Sequence, residues 1–263
     1  MSELASAAVA GGLRLEEHEG GFVWHVFLAT PKANVLDLAK IRALSAVFER
    51  ARDAPHLRAV LLEGDGPHFS FGASVEEHLP PRCAEMLANF HAMLEGLLAA
   101  AVPCLAVVRG QCLGGALELA SLCQRVFAAP GAMLGQPEIA LGVFAPAASV
   151  ALVERIGRGA AEDLLLSGRS LEAREAHALG LVDELADDPR AAALAYAKRH
   201  LLPRSASSLR QAVRAARAGF AERFERELRA LELQYMDELM HTADALEGLH
   251  AFLDKRAPAW RDA

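Results

Sequence analysis

The chain has few cysteines and no excess of positive charge, and both facts limit the kinds of site and partner that the sequence predicts. Its four cysteines, at positions 83, 104, 112 and 123, form no CxxC pair, so the sequence predicts neither a zinc site nor a disulfide framework. With 27 basic against 34 acidic residues, the net charge of -7 gives no reason to expect a nucleic acid partner. Any anionic ligand must be met by local groups.

A basic leader and long apolar runs are missing as well. No segment holds about 18 uninterrupted apolar residues, and MSELASAAVAGGLRLEEHEG has no basic residue before its short apolar patch. The sequence therefore predicts a soluble, cytoplasmic protein without a membrane partner. A chain of 263 residues with 53% hydrophobic content can also bury a full core of its own.

Strand and helix patterns alternate through the first half of the chain. The segments 21–30, 58–64, 104–110 and 125–130 are short, apolar and bounded by Gly or Pro, as buried strands are. VLDLAKIRALSAVFERARDA (35–54) repeats apolar residues at helical spacing. This alternation predicts an α/β fold. From about residue 160 only helical patterns are found, which predicts a helical C-terminal region that packs on the sheet core or on another subunit.

The segment GQCLGGALELA (110–120) places two glycines before a helix and one carboxylate in its first turn. Free N–H groups and the positive end of the helix dipole meet at such a terminus, where glycine lets a ligand approach the backbone. The Gly115 amide is a candidate oxyanion donor, and Glu118 is a candidate acid or base at the same place. The alternative is a glycine turn that only starts a helix, with Glu118 complementing the dipole.

Two further segments supply partners for this candidate site. HFSFGASVEEHLP (68–80) turns at Gly72, so the Ala73 amide can converge with that of Gly115 on one oxygen. LGQPEIALG (134–142) holds Glu138 among apolar residues. Two carboxyls in a dry pocket raise each other's pKa, which lets one remain an acid while the other serves as a base. The alternative is a solvent-facing loop glutamate.

These segments together resemble the crotonase superfamily, and most closely its enoyl-CoA hydratases. The resemblance extends to PKANVLDL (31–38), LLLSGRSLEAREAHALGLVDEL (164–185) and DALEGLHAFLDKRAPAW (244–260). It implies a crotonase-like spiral of β-β-α turns in residues 1–195 and a helical oligomerisation region in residues 196–263. The implied assembly is a homotrimer or a dimer of trimers. The implied substrate is an acyl-CoA thioester, with coenzyme A as part of the substrate and no separate cofactor or metal.

The resemblance also implies roles for the site residues. Backbone amides that match Ala73 and Gly115 hold the thioester carbonyl in the family, and hydratases use two glutamates that match Glu118 and Glu138. Adding water across a conjugated double bond needs a base and an acid. We expect Glu118 mainly to activate water and Glu138 mainly to deliver the proton, with one water shared between them.

Departures from the family pattern concern the acyl group. Ser74 stands where the family has Asp after the oxyanion alanine, and Phe71 and Phe144 stand where small residues are usual. We expect both phenylalanines to line a snug acyl pocket, although a repacked loop is the alternative. FSFGASVEEHLP is similar to hydratases that act on a cyclic dienoyl-CoA formed by benzoyl-CoA reduction in anaerobic aromatic degradation.

The remaining expectations concern cations, histidines and other functions. Lys32, Lys255 and Arg256 are the candidates for binding the CoA phosphates. Four arginines, Arg204, Arg210, Arg214 and Arg217, are expected to face solvent, and three histidines, His68, His78 and His91, are expected to pack without a catalytic role.

The alternative functions within enzymes are a straight-chain enoyl-CoA hydratase and an enoyl-CoA isomerase. Outside enzymes, the alternative is a catalytically silent scaffold or RNA-binding crotonase relative, which the acidic charge and paired glutamates disfavour.

Overall fold

The computed structural model describes residues 6–9, 11–30 and 33–263, and its main sheet has seven strands in the order β1-β2-β3-β4-β5-β7-β10. These strands are β1 (Ser6–Val9), β2 (Leu13–His18), β3 (Val23–Leu28), β4 (Ala59–Gly64), β5 (Cys104–Val108), β7 (Arg125–Ala128) and β10 (Glu184–Leu185). The first three strands pair antiparallel. From β3 to β10 the pairing is parallel. Every residue of β3, β4 and β5 is buried, as expected for strands covered on both faces.

A second sheet of three strands, in the order β6-β8-β9, and a set of helices complete the fold. The strands are β6 (Gln111–Leu113), β8 (Met133–Gly135) and β9 (Ser170–Glu172). The helices are α1 (Leu38–Asp53), α2 (Cys83–Ala100), α3 (Gly115–Ser121), α4 (Pro146–Ile156), α5 (Arg158–Ser167), α6 (Ala173–Ala178), α7 (Pro189–Tyr196), α8 (Ala206–Leu233) and α9 (Ala243–Leu253). Short 3-10 turns cover Val75–His78 and Pro137–Leu141, and α8 continues into a π-helical turn at Gln234–Glu238.

Helix α1 shows how the sequence directs these elements. The Asp37 side chain accepts a hydrogen bond from the Lys40 amide at 2.9 Å, which caps the helix start. Ile41, Leu44 and Phe48 follow at helical spacing and are all buried. This apolar stripe packs against α2, so the two helices share one core with the sheet.

The predicted α/β fold and the strands and helix predicted before residue 160 are confirmed, with the ends shortened by a few residues. The expectation that no strand follows residue 160 is wrong. Strand β9 pairs antiparallel with β8, and β10 pairs parallel with β7. These strands have three and two residues, which is too short to produce an alternating pattern, so only their pairing partners define them.

The expectation for the arginines of α8 is wrong at two positions. Arg210 is buried and donates to the carbonyl oxygens of Ala51, Ala54 and Ala100, at the ends of α1 and α2. Arg217 donates to the carbonyl oxygen of Leu122. Helices end with unpaired carbonyl groups, and a guanidinium with several donors satisfies them. Helical spacing alone does not distinguish this role from a solvent-facing one.

The C-terminal helices pack on the rest of the same chain. Helix α8 contacts α2 and α4, and α9 contacts the 3-10 turns Val75–His78 and Pro137–Leu141. The division into a core of residues 1–195 and an oligomerisation region of residues 196–263 stays a prediction. No helix of the described residues has the length and apolar character needed to span a membrane. All four cysteines are free thiols, with 3.6 Å between the sulfur atoms of Cys104 and Cys123.

Candidate active site

A cavity of about 460 Å³ lies between the loop after β4, the start of α3, the turn after β8 and the helices α2 and α9. Most of its wall is apolar. The residues singled out in the sequence for the reaction and for the acyl pocket all line it: Phe71, Ala73, Gly115, Glu118, Glu138 and Phe144. Three separate segments of the sequence therefore meet around one enclosed space.

The two glycine turns lie in contact with each other. Gly72 has a φ of 89°, and a methyl group on it would lie 2.5 Å from the Leu113 carbonyl oxygen and 3.1 Å from the Gly115 nitrogen. A methyl group on Gly115 would lie 3.3 Å from the Ala73 nitrogen. These approaches are possible only without side chains, so the glycines allow the two amides to be neighbours.

Both amides are available to a ligand. The bonds beside Ala73 run from the Leu36 amide to the Gly72 oxygen and from the Ser74 amide to the Leu36 oxygen, at 2.9 and 3.2 Å. Gly115 is the first residue of α3, where the helix leaves N–H groups unpaired. Among the described residues, neither the Ala73 amide nor the Gly115 amide has a hydrogen-bond acceptor. Two neighbouring donors on a cavity wall are suited to hold one carbonyl oxygen.

Glu118 lies in the first turn of α3 and is 4% exposed. Its Oε1 atom accepts a hydrogen bond of 2.8 Å from the Ala148 amide, near the start of α4. Burial raises the pKa of Glu118, and the Ala148 N–H group and the nearby His91 partly oppose that rise. The carboxyl is therefore held in one orientation and is a stronger base than an exposed glutamate.

Glu138 follows Pro137 in the 3-10 turn, and its carboxyl packs on Gly114. A methyl group on Gly114 would lie 2.6 Å from Oε1 of Glu138. With its amide turned so that the nitrogen faces Glu138, Gln136 donates to both carboxyl oxygens, at 3.1 and 3.2 Å. Burial, and after it the charge of Glu118, raises the pKa of Glu138 to about 8. Glu138 is half-buried and lines the cavity, and a protonated carboxyl at neutral pH can serve as an acid.

The two phenylalanines occupy different parts of the wall. Phe71 is 43% exposed and meets the His68 ring edge to face, with 5.0 Å between ring centroids. Phe144 is half-buried and meets the ring of Tyr235 edge to face at 5.4 Å. Phe71 therefore borders solvent at the mouth, whereas Phe144 belongs to the interior of the cavity.

The three candidate cations for the CoA phosphates differ in position. Arg256 lines the cavity, and its guanidinium is paired with the Glu247 carboxylate through bonds of 2.6 and 2.9 Å. Lys255 is exposed just beyond the end of α9 and is not part of the cavity wall. Lys32 lies outside the described residues. Of the two candidates that the structure describes, Arg256 lies at the wall of the cavity and Lys255 does not.

Two histidines already named from the sequence, and one tyrosine that was not predicted, also line the cavity. His91, expected only to pack, lines the cavity, and its Nδ1 atom lies 2.5 Å from Oε2 of Glu232. His78 and Tyr235 also line the cavity, whereas His68 accepts a hydrogen bond from the Gln111 amide. Tyr235 lies 97 residues after Glu138 and 117 residues after Glu118 along the chain. No local motif could have connected it to them.

One cluster outside the cavity has the residue types of a metal site. Donor atoms of Glu16, His18 and His25 lie within 4.8 Å of one another on β2 and β3. Glu16 is already paired with Arg14, and Nε2 of His25 lies 2.9 Å from a carboxylate oxygen of Glu63. That second carboxylate is in turn bound by Arg109 and Arg190. The guanidinium charges oppose a divalent cation, so this cluster is better described as an ion-pair network.

The fold and the position of the cavity within it define the structural class of the protein. A solved enoyl-CoA hydratase from Mycobacterium avium subsp. paratuberculosis K-10 matches with a TM-score of 0.84 and 25% identity, over 95% of this chain and 99% of that chain. An enoyl-CoA hydratase from Geobacillus kaustophilus HTA426 matches with a TM-score of 0.77 and 26% identity, over 99% of this chain and 100% of that chain. The protein is an enzyme with the crotonase fold.

Sequence comparison then identifies the family. The family model described as enoyl-CoA hydratase/isomerase matches residues 18–263. A Thauera aromatica protein named cyclohexa-1,5-dienecarbonyl-CoA hydratase is 50% identical over 262 residues, which is 100% of each chain. A probable enoyl-CoA hydratase of Mycobacterium tuberculosis is 34% identical over 242 residues, or 89% of this chain and 92% of the relative. The chain belongs to the enoyl-CoA hydratase/isomerase family.

Proposed function

We propose that this enzyme adds water to cyclohexa-1,5-diene-1-carbonyl-CoA and forms 6-hydroxycyclohex-1-ene-1-carbonyl-CoA, in the anaerobic degradation of aromatic compounds through benzoyl-CoA. The observation that carries the proposal is the 50% identity, along the whole of both chains, to the Thauera aromatica hydratase. A mostly apolar cavity of about 460 Å³ with Phe144 in its interior is compatible with a compact ring.

In the first step of the proposed reaction, the amides of Ala73 and Gly115 hold the thioester oxygen. Glu118 accepts a proton from water, and the water oxygen forms a bond to C2 of the ring. The electron pair of the C1=C2 bond moves into a dienolate that extends from the thioester oxygen to C5. The charge that develops on the oxygen is stabilised by the two amides, which are already oriented before reaction.

In the second step, Glu138 gives its proton to C5. The remaining ring double bond then joins C1 and C6, and renumbering the ring places the new hydroxyl at C6 of the product. The atoms of one water are thus divided between two carbons on opposite sides of the ring. Glu118 ends protonated and Glu138 ionised, so a proton returns between the carboxyls before the next turnover.

A substrate comparison tests the proposal. The cyclic dienoyl-CoA and the straight-chain crotonyl-CoA are offered separately, and ultraviolet absorbance and product mass are followed. We expect a higher kcat/KM for the cyclic thioester and a product heavier by one water. Preference for crotonyl-CoA would contradict the cyclic substrate and favour a straight-chain hydratase. A shifted double bond without a gain in mass would favour an isomerase.

We further propose which residues bind the CoA phosphates and how the chains assemble. Lys32, Lys255 and Arg256 are the candidates for the CoA phosphates, with Arg256 supported by its place on the cavity wall. A homotrimer or a dimer of trimers formed through residues 196–263 is supported by the exposed Leu233 of α8. Free thiols support a cytoplasmic location. Sedimentation gives the assembly directly, as a multiple of the 28.1 kDa chain.

A further inference from the structure

Tyr235 is a buried phenol whose polar atom is unused. The residue is 1% exposed, it lines the cavity, and within the described part of the chain its hydroxyl has no hydrogen-bond partner. Burying a hydroxyl without a partner is unfavourable, and a buried tyrosine usually finds one. An orphaned hydroxyl on the wall of a substrate cavity indicates that a ligand provides the partner.

The backbone explains why a tyrosine reaches this position. Helix α8 changes to a π-helical turn at Gln234–Glu238, and turns of this kind are frequent at functional sites. Leu233, the last residue of α8, is 63% exposed, whereas Tyr235 two positions later is completely enclosed. Two positions are about 200° apart around a helix, so the two side chains lie on opposite faces and the phenol is on the cavity side.

The surroundings of the Tyr235 hydroxyl keep it protonated, so that it can donate a hydrogen bond. Burial raises the pKa of Tyr235 well above its ordinary value, and the neighbouring Cys83, Glu138 and Glu118 raise it further. The ring of Phe144 meets it at 5.4 Å, and the ring of His78, whose Nδ1 atom is bonded to a backbone carbonyl, lies 6.5 Å away. The hydroxyl thus keeps its proton and lies within electrostatic reach of both carboxyls.

We propose that the Tyr235 hydroxyl donates a hydrogen bond to the oxygen added to the ring, first in the water and then in the product alcohol. This inference rests on the proposed function. A water molecule has two protons and two lone pairs. When one proton points to Glu118 and one lone pair points to C2, the second lone pair needs a donor, and the phenol provides it. Tyr235 is then a positioning and specificity residue for the hydroxylated carbon.

A ligand comparison with Tyr235→Phe tests this role. Two thioesters are bound to the variant and to its parent: the product 6-hydroxycyclohex-1-ene-1-carbonyl-CoA, and cyclohex-1-ene-1-carbonyl-CoA, which lacks the hydroxyl. Both proteins also carry Glu118→Gln, so that the product is not dehydrated during the measurement. We expect affinity for the hydroxylated thioester to fall about tenfold and affinity for the other to remain unchanged.

Kinetics and a matched control complete the experiment. In the enzyme with Glu118 intact, Tyr235→Phe is expected to lower kcat/KM for hydration about 10- to 100-fold, with a thermal midpoint equal to or above that of the wild type. The control is Tyr196→Phe, the other tyrosine of the chain, which packs on Phe127 away from the cavity and leaves both measurements unchanged.

Two results would overturn the inference. Equal losses for both thioesters would make Tyr235 a general part of the wall, and no loss for either would leave its hydroxyl without a role. Failure of the proposed function is distinguishable from both, because it would be seen in the wild type as no hydration of the cyclic dienoyl thioester.

Discussion

At the scale of single residues, the distinctive property of the site is the environment of Glu138. Its carboxyl lies in an enclosed cavity beside a second acid, and its pKa is raised to about 8 by burial and by the charge of Glu118. The carboxyl therefore holds its proton at neutral pH. An acid and a base can thus coexist in one pocket although both residues are glutamates.

The first prediction is the pH dependence of hydration. Because Glu138 has to be protonated to act as the acid, kcat/KM is expected to be halved near pH 8 and to fall about tenfold for each further pH unit. Removing the charge of its neighbour with Glu118→Gln lowers the pKa of Glu138, which carbon NMR of the labelled carboxyl measures directly. An unchanged pKa in that variant would show that the two carboxyls do not interact.

The second prediction links the same group to stability. A pKa raised from 4.5 to about 8 means that, between these values, the folded chain holds a proton that the unfolded chain has lost. The resulting stability is complete below pH 4.5 and is lost as the pH rises through about 8, by up to about 1.4 kcal/mol per pH unit. Glu138→Gln removes this dependence, so denaturant unfolding should find the variant more stable than the wild type at pH 9. Equal stability of the two proteins at that pH would contradict the buried, protonated state.

The third prediction concerns the amide pair. In Gly115→Ala the new methyl group meets the Phe90 ring at 3.0 Å and the Ala73 nitrogen at 3.3 Å, which spreads the two donors apart. Losing one oxyanion donor typically costs about 100- to 1000-fold in rate, and a loss in this range is expected in kcat. Gly219→Ala, on an open face of α8, is the matched control and should retain full activity. Full activity of Gly115→Ala would argue against the oxyanion role.

At the scale of elements, the fourth prediction concerns the helix ends joined by Arg210. Its guanidinium donates to three carbonyl oxygens at the ends of α1 and α2, at 2.6 to 2.9 Å. Arg210→Ala leaves those groups without a partner, so the free energy of unfolding is expected to fall by about 3 kcal/mol in urea titration. Arg214→Ala, an exposed position on the same helix, should change it by less than about 0.5 kcal/mol. Similar losses in both variants would assign the effect to the helix and not to its contacts.

Elements with strong local patterns were predictable from the sequence, and those defined by distant partners were not. The predicted strand at 58–64 and the helix at 35–54 correspond to β4 and α1. Burial on both faces of the strand leaves a short continuous apolar run, and the apolar stripe of the helix leaves a clear period. Strands β9 and β10 exist through pairing with β8 and β7, and so few residues carry no period. The π-helical turn that contains Tyr235 has no sequence signature either.

At the scale of the whole molecule, the site is a meeting of segments that are far apart in the chain. Turns near residues 72, 114 and 138 were found because each combines glycine or proline with an acid or an apolar strand. The wall contributed by α2 and by the π-helical turn depends on how the C-terminal helices fold back over the core. The residues proposed to react were therefore predictable from the sequence, whereas the other residues of the cavity wall needed the structure.

The two glycines at the start of α3, Gly114 and Gly115, have different neighbours and different roles in the structure. The space left by the missing side chain of Gly114 is filled by a carboxyl oxygen of Glu138, whereas the corresponding space at Gly115 is bounded by the Phe90 ring and the Ala73 amide. Adding one carbon at Gly114 would thus displace the proposed proton donor, whereas adding one at Gly115 would disturb the proposed amide pair. Two adjacent glycines thus leave room for two different atoms, a carboxyl oxygen of Glu138 and the amide nitrogen of Ala73.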